Sequence, residues 1–333
     1  MNKRTLYLLL LSVIGPISFA EDYQIPTTSW GVPDLQGIWT NVTVTSLERP
    51  EFVDTLVVDE SVARNWEKRN KDFFDQFDVR DEEKPPEGGD IGGYNSFWMD
   101  AGTRLMEIDG QFRTSIITDP EDGKIPYRVG SRAKLGAFFM RVVGAFDGPE
   151  QRPLGERCIV GFGSTGGPPM LPVLYNNHYR IVQSPEHIMI MAEMNHDARI
   201  VRIDGEHPDK SVQVWLGDSI GHWEGNTLVV ETTNFHPGQS FRAAIKHQLY
   251  TSPEVKVTEY FTRVSDDEIN YKFTIDDPNA FTQVWHGEMP FKSAEGPIYE
   301  YACHEGNYSL PGILAGARKE EAEAATNAEG GAE

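Results

Sequence analysis

The sequence predicts a mainly β protein: an antiparallel meander that curls into a barrel, with two helices packed against it. Three observations carry that expectation. Residues 171–303 hold a run of short strand-like segments divided by compact turn signals. Within it, Ile269-Asn270-Tyr271-Lys272-Phe273-Thr274-Ile275 alternates apolar and polar residues, the period of a strand with one buried and one wet face. Turn formers flank that strand, Ser265-Asp266-Asp267-Glu268 before it and Asp276-Asp277-Pro278-Asn279 after it. Strands repeated in this way build barrels or sandwiches.

The other elements follow in chain order. Lys3 and Arg4, the apolar run Leu6 to Ile17 and the closing Ser18-Phe19-Ala20 read as a secretory signal peptide over residues 1–20, cleaved after Ala20. The mature chain is then expected to be periplasmic or secreted, and no further stretch is apolar enough to span a bilayer. Residues 21–36 are extended and irregular, and Gly37 to Thr40 form a short strand. Ser61 to Phe77 form a helix with Asp59 or Ser61 as N-cap and Trp66, Phe73 and Phe77 on its apolar side. Residues 81–92 are an acidic, Gly- and Pro-rich loop; Tyr94 to Asp100 and Arg113 to Thr118 read as strands, and Thr118-Asp119-Pro120-Glu121-Asp122-Gly123 as a turn. Ser131 caps a second helix whose stripe is Leu135, Phe138, Phe139, Val142, Val143 and Phe146. Residues 21–310 form one domain, with 21–150 wrapping a meander over 151–310, and 311–333 form a disordered acidic tail.

Charge narrows the partners. The formal charge is −21, and loss of Lys3 and Arg4 with the signal takes it to −23. Such a surface repels nucleic acid and anionic lipid; a neutral or cationic small molecule is compatible with it. The two cysteines, Cys158 and Cys303, can form one disulfide in an oxidising compartment, or stay as buried thiols. A bridge would tie the loop before the meander to its last strand, and closing so long a loop contributes about 4 kcal/mol.

Two glycine motifs fail on context. Gly161-Phe162-Gly163-Ser164-Thr165-Gly166 has dinucleotide-loop spacing, but Pro168 and Pro169 follow where a helix must begin. Gly217-Asp218-Ser219-Ile220-Gly221 has the spacing of a nucleophile elbow, but a turn and a strand follow it instead of a helix.

Two clusters can support acid–base chemistry. In the first, His196 sits between Glu193, Asp197 and Arg199; in the second, His304 precedes Glu305. An imidazole oriented by a carboxylate can move protons near neutral pH. His196 would transfer the proton, Asp197 or Glu193 would orient it, Arg199 would stabilise negative charge, and His304 with Glu305 would form a second pair. Tyr175, Trp215, Trp223, Glu231, Trp285 and Tyr301 are the expected ligand-cavity residues. No cofactor is expected; Glu193, His196, Asp197, Glu231 and His304 could alternatively hold a divalent cation, although none lies in a compact metal spacing.

The phrases Pro33-Asp34-Leu35-Gln36-Gly37-Ile38-Trp39-Thr40, Trp223-Glu224-Gly225-Asn226-Thr227-Leu228-Val229-Val230-Glu231-Thr232-Thr233-Asn234-Phe235 and Tyr301-Ala302-Cys303-His304-Glu305-Gly306-Asn307-Tyr308 carry a resemblance. The chain resembles a large uncharacterised family of exported bacterial proteins. It departs at Lys124 and His222, where similar proteins often carry Arg, and His222 is set aside as a catalytic candidate for that reason. Gly37-Ile38-Trp39 is also similar to the opening of lipocalin-like barrels. That likeness implies an apolar small molecule in the barrel, with cofactor-free isomerase, cyclase, hydratase or lyase chemistry. A non-catalytic periplasmic binding protein is the alternative.

Overall fold

A computed structural model describes residues 23–82, 99–163, 165, 167–244 and 247–330. The segment expected to be a signal peptide, the loop at 83–92 and most of the strand expected at 94–100 lie outside the described residues, as do the side chains of Phe77, Phe138, Phe139, Val142 and Val143.

In chain order the elements are β1 (Gly37–Thr40), β2 (Val57–Val58), α1 (Glu60–Glu82), β3 (Glu107–Ile108), β4 (Gln111–Arg113), β5 (Ile117–Asp119) and α2 (Val129–Gly144). Then come β6 (His178–Gln183), β7 (His187–Ala192), β8 (Ala198–Ile203), β9 (Asp218–Glu224), β10 (Thr227–Thr233), β11 (Phe241–Ala244) and β12 (His247–Tyr250). The last are β13 (Lys256–Ser265), β14 (Glu268–Asp276), β15 (Trp285–Ser293) and α3 (Ser309–Gly330).

Nine strands close a barrel in the order β1-β6-β7-β8-β9-β10-β13-β14-β15, and β1 joins β15 to complete the ring. Strand β5 pairs with β15 at His286 and Gly287, apart from the Lys292–Ser293 end that pairs with β1. Closure pairs each strand of the ring on both sides and so removes free sheet edges. The alternation read in the sequence sorts the side chains. On β14, Ile269, Tyr271, Phe273 and Ile275 are buried, while Asn270, Lys272 and Thr274 are not. Trp39, Tyr179, Phe261, Phe291 and Trp285 join them in one core, to which Leu35, Leu47 and Ile116 of the N-terminal half also belong. Trp39 donates its indole N–H to the Leu35 carbonyl at 3.0 Å, and the Arg263 guanidinium lies 5.5 Å from its ring centre.

The meander is antiparallel except at one seam: β8 and β9 run parallel. Residues 204–217 carry the chain back before β9 begins, so the turn is a crossover and not a hairpin. Asp218, the first residue of β9, holds the crossover by accepting from Arg202 at 2.8 and 2.9 Å, and it pairs with His207 at 2.7 Å.

Both expected helices are present. Asp59 caps α1, accepting the Val62 N–H at 3.0 Å, and Ala63 and Trp66 pack with Val44, Leu105 and Phe112. Leu135 of α2 packs on the main core. The segment expected as a disordered tail is instead helical over α3. Its alanines and glutamates favour helix, and Arg318–Glu321 and Lys319–Glu323 are neighbours on its surface. The region read as one strand at Arg113–Thr118 is split between β4 and β5, and Tyr301–Cys303 is irregular chain well past the last strand.

Gly287 shows how tightly the barrel is filled. A Cβ built there would lie 2.2 Å from the Phe273 ring, and both residues sit in the core. Gly287→Ala is expected to lower stability by about 1–3 kcal/mol through overpacking. Denaturant unfolding measures this, and an unchanged midpoint would show that the ring has room to move.

Candidate functional site

A cleft of about 750 Å³ opens at the barrel rim where β6 begins and β7 ends. Its geometry starts with a turn at residues 173–177. Asn176 takes a left-handed φ of 55°, which Asn tolerates well. The buried Asn177 side chain accepts the Val173 N–H at 2.8 Å and donates to the Val173 carbonyl at 3.0 Å. The chain then leaves as β6 with His178 in its first place. Tyr179 pairs with Ala192, so one step further along the ladder His178 meets Glu193, whose N–H donates to the His178 carbonyl at 2.8 Å.

Their side chains meet as well. Glu193 Oε2 lies 2.8 Å from His178 Nδ1, and Glu193 Oε1 accepts the Tyr299 N–H at 3.2 Å. Glu193 is buried, while the imidazole keeps one-third of its surface. The hydrogen bond to Glu193 raises the His178 pKa above its ordinary value, against the opposing effect of burial. Burial pushes the Glu193 carboxyl up, but His178 and the Tyr299 N–H outweigh it and hold the group below its ordinary value. A buried carboxylate that fixes one ring nitrogen of a partly exposed imidazole is an orienting pair for proton transfer.

Aromatic side chains complete the cleft. Phe162, Tyr175, Tyr299 and Tyr301 line it, together with Cys158 and Cys303, which are joined as a disulfide. Burial raises the phenol pKa of both Tyr175 and Tyr301, and Tyr175 adds to the effect on Tyr301.

Of the residues expected from sequence, Glu193, Tyr175, Tyr301 and both cysteines are brought together here. His196 lies beside the cleft as a strut: its Nε2 accepts the Tyr301 N–H at 3.2 Å. Asp197 does not orient it. The Asp197 carboxylate accepts from Gly161 N–H at 2.5 Å and Asn195 Nδ2 at 3.0 Å, and burial raises its pKa. Arg199 points into the barrel, where it is bound to Glu259. His304 and Glu305 are exposed on the turn after Cys303.

The remaining ligand candidates are dispersed. Trp285 is buried core and Trp223 packs partly against that core. Trp215 packs on His236 with ring centres 3.8 Å apart and the rings tilted by 33°, in the lining of a separate groove of about 640 Å³. Glu231 sits on the outer face of β10, 3.4 Å from Lys256 and 3.5 Å from His207. Of the five residues considered for a divalent cation, Glu193, His196 and Asp197 share one loop, while Glu231 lies on β10 and His304 on an exposed turn. Among the described residues no group of three or more His, Cys, Asp or Glu could hold a metal ion. Ser219 lies within β9, its hydroxyl 2.8 Å from that of Thr232 and buried, which removes the nucleophile elbow.

His178 is the functional candidate that sequence reading missed. Local clustering could not reveal it, because its partner is fifteen positions away. Pairing the two strands as a hairpin about Ser184-Pro185-Glu186 would have placed it opposite Glu193.

Glu193→Gln is expected to lower the His178 pKa and to cost about 1–3 kcal/mol, as for a buried hydrogen-bonded charge. Its pH dependence has a defined sign. The depressed Glu193 pKa contributes stability above the unfolded value, lost as pH falls through the folded value. The raised His178 pKa contributes stability below the unfolded value, lost as pH rises through the folded value. The gap between native protein and variant is therefore widest between about pH 4.5 and 6.5. Urea melts across pH, with NMR titration of the imidazole, measure both effects; a His178 pKa unmoved by the substitution contradicts the pairing.

No protein-family model, curated protein or solved structure matches the chain.

Proposed function

We propose that the protein is exported, takes a small, largely apolar molecule into the cleft at the barrel rim, and acts on it by cofactor-free proton transfer. The observation that supports this reading is the 2.8 Å pairing of His178 Nδ1 with the buried Glu193 inside an aromatic-lined cleft of about 750 Å³. Tyr175 and Tyr301 would cover the ligand's apolar body. His178 would exchange a proton with it, and Glu193 would hold the ring in one tautomer and stabilise the imidazolium. Chemistry of this kind serves isomerases, cyclases, hydratases and lyases. The reading moves the ligand from the barrel interior to its mouth, because aromatic side chains occupy the interior.

The test is a screen of small aromatic and alicyclic compounds against isotope-labelled protein, following the His178 imidazole signals. Ligands are expected to shift those signals, and His178→Asn is expected to lower any turnover by at least about 10²-fold while binding persists. Ligands that bind and shift His178 but never turn over would leave a binding protein. Ligands that leave His178 unmoved would rule out the site.

A further inference from the structure

We infer that the molecule this cleft selects is an organic cation, an amine or quaternary ammonium on an apolar body. The inference rests on the reading of the cleft as the functional site and names the class of its ligand. Two independent features of the lining carry it.

The first is aromatic. Phe162, Tyr175, Tyr299 and Tyr301 come from three separate segments of the chain and converge on one space. Aromatic faces carry negative quadrupoles, and several of them around one space attract a soft, weakly hydrated cation far better than a neutral group of the same shape.

The second is charge. Four carboxylates line the same cleft: Asp100, Glu156, Glu193 and Glu300. Among the described residues no Lys or Arg lines it, and His178 is its one titratable cation. Glu156 is engaged by Arg152 at 2.9 and 3.1 Å, and Glu193 by His178 at 2.8 Å. Asp100 and Glu300 are exposed carboxylates on the lining, so a cation entering the cleft passes acids. The whole chain adds to this field, with a net charge of −21 that draws cations and repels anions. An anionic substrate would meet four carboxylates and, among the described residues, no lysine or arginine to receive it. A neutral substrate would gain nothing from them.

The lining also assigns roles. The cationic head would sit among Tyr175, Tyr299 and Tyr301, and the apolar body would extend along Phe162 and the wall formed by Cys158 and Cys303. Protonated His178 competes with such a ligand. Asp100 and Glu193 are the acids that favour its charged form, so cation binding should release its proton and strengthen as pH rises through its pKa.

The experiment compares choline with its neutral carbon isostere, 3,3-dimethylbutan-1-ol. Each is titrated into the labelled, folded protein while the His178 ring and the amides of Tyr175, Tyr299 and Tyr301 are followed by NMR. Choline is expected to bind at least about tenfold more tightly than the isostere. Added salt should weaken choline alone. The double substitution Asp100→Asn and Glu300→Gln changes two exposed residues, so the fold should survive. It should weaken choline about three- to tenfold and leave the isostere unchanged. Equal binding of the two compounds overturns the cation assignment but leaves the small-molecule reading of the cleft intact. Choline that moves none of these signals at millimolar concentration overturns it as well. The small-molecule reading itself fails only if the wider screen also leaves His178 silent.

Discussion

Glu259→Gln is expected to destabilise the protein by about 3–5 kcal/mol, the cost of stranding a buried guanidinium. Arg199 of β8 and Glu259 of β13 form an ion pair inside the barrel, with side chains 2% and 0% exposed. Arg199 Nη2 donates to Glu259 Oε1 at 2.9 Å, and the Tyr271 hydroxyl donates to the same oxygen at 2.9 Å. Tyr271 in turn accepts the Met170 N–H at 3.1 Å, which fastens the segment covering this part of the core to the barrel. Burial, and then the Glu259 charge, keep the Tyr271 phenol protonated far above its ordinary range. Arg242 is also buried nearby; burial, then repulsion by Arg199, depress its pKa to about 10. Removing the Glu259 charge would leave two guanidiniums repelling each other in a low-dielectric interior. A double-mutant cycle tests this with Arg199→Met and Glu259→Leu. Each single change should cost several kcal/mol and the pair together much less than their sum, because two apolar side chains can replace a buried ion pair at little cost. Single variants within about 1 kcal/mol of the native protein would show that water reaches the pair.

That ion pair also shows where sequence reading reaches its limit. The barrel was legible because alternation is a local property. Ile269 to Ile275 reveals its buried face within one strand, whereas Thr227 to Thr233 buries Leu228, Val229 and Val230 in succession and Gly37 to Thr40 buries Trp39 alone. Arg199 is expected to stabilise negative charge beside His196 for the same reason: it lies three residues away. But strand geometry puts successive side chains on opposite faces, and the short helical turn at Met194–His196 separates that loop from β8. Arg199 therefore faces the core. Its partner lies sixty residues on, at a distance no local motif can bridge. Glu193 was found and His178 was not, because a carboxylate in a polar cluster is visible where it stands, while its imidazole comes from the neighbouring strand. The parallel seam between β8 and β9 was hidden too, since turn residues mark where a chain bends and not which side it returns on.

Replacing both Cys158 and Cys303 by serine is expected to cost about 4–5 kcal/mol and to loosen the cleft before the barrel melts. The cysteines are 145 residues apart in sequence with Cα atoms 5.7 Å apart, so the bridge closes a very long loop and removes much freedom from the unfolded chain. Its local effect falls on the site. Residues 299–307 contain no regular secondary structure, yet they carry Tyr299 and Tyr301. Besides the bridge they are held by Tyr299 N–H to Glu193 at 3.2 Å, Tyr301 N–H to His196 at 3.2 Å, and Asn307 Nδ2 to the Glu156 carbonyl at 2.8 Å. Hydrogen bonds of this kind on a partly exposed segment, each contributing about 0.5–1.5 kcal/mol net, hold it less firmly than a covalent link. Hydrogen exchange should therefore quicken first at the Tyr299 and Tyr301 amides, while those of β13 and β14 keep their protection until global unfolding. Guanidinium unfolding measures the global cost. Equal unfolding midpoints in the serine variant and the native protein would show that the bridge contributes nothing. Equal exchange at Tyr299 and Tyr301 would show that hydrogen bonds alone hold the aromatic wall, and that the Glu193–His178 pair, which shares the Tyr299 N–H, supports the cleft without it.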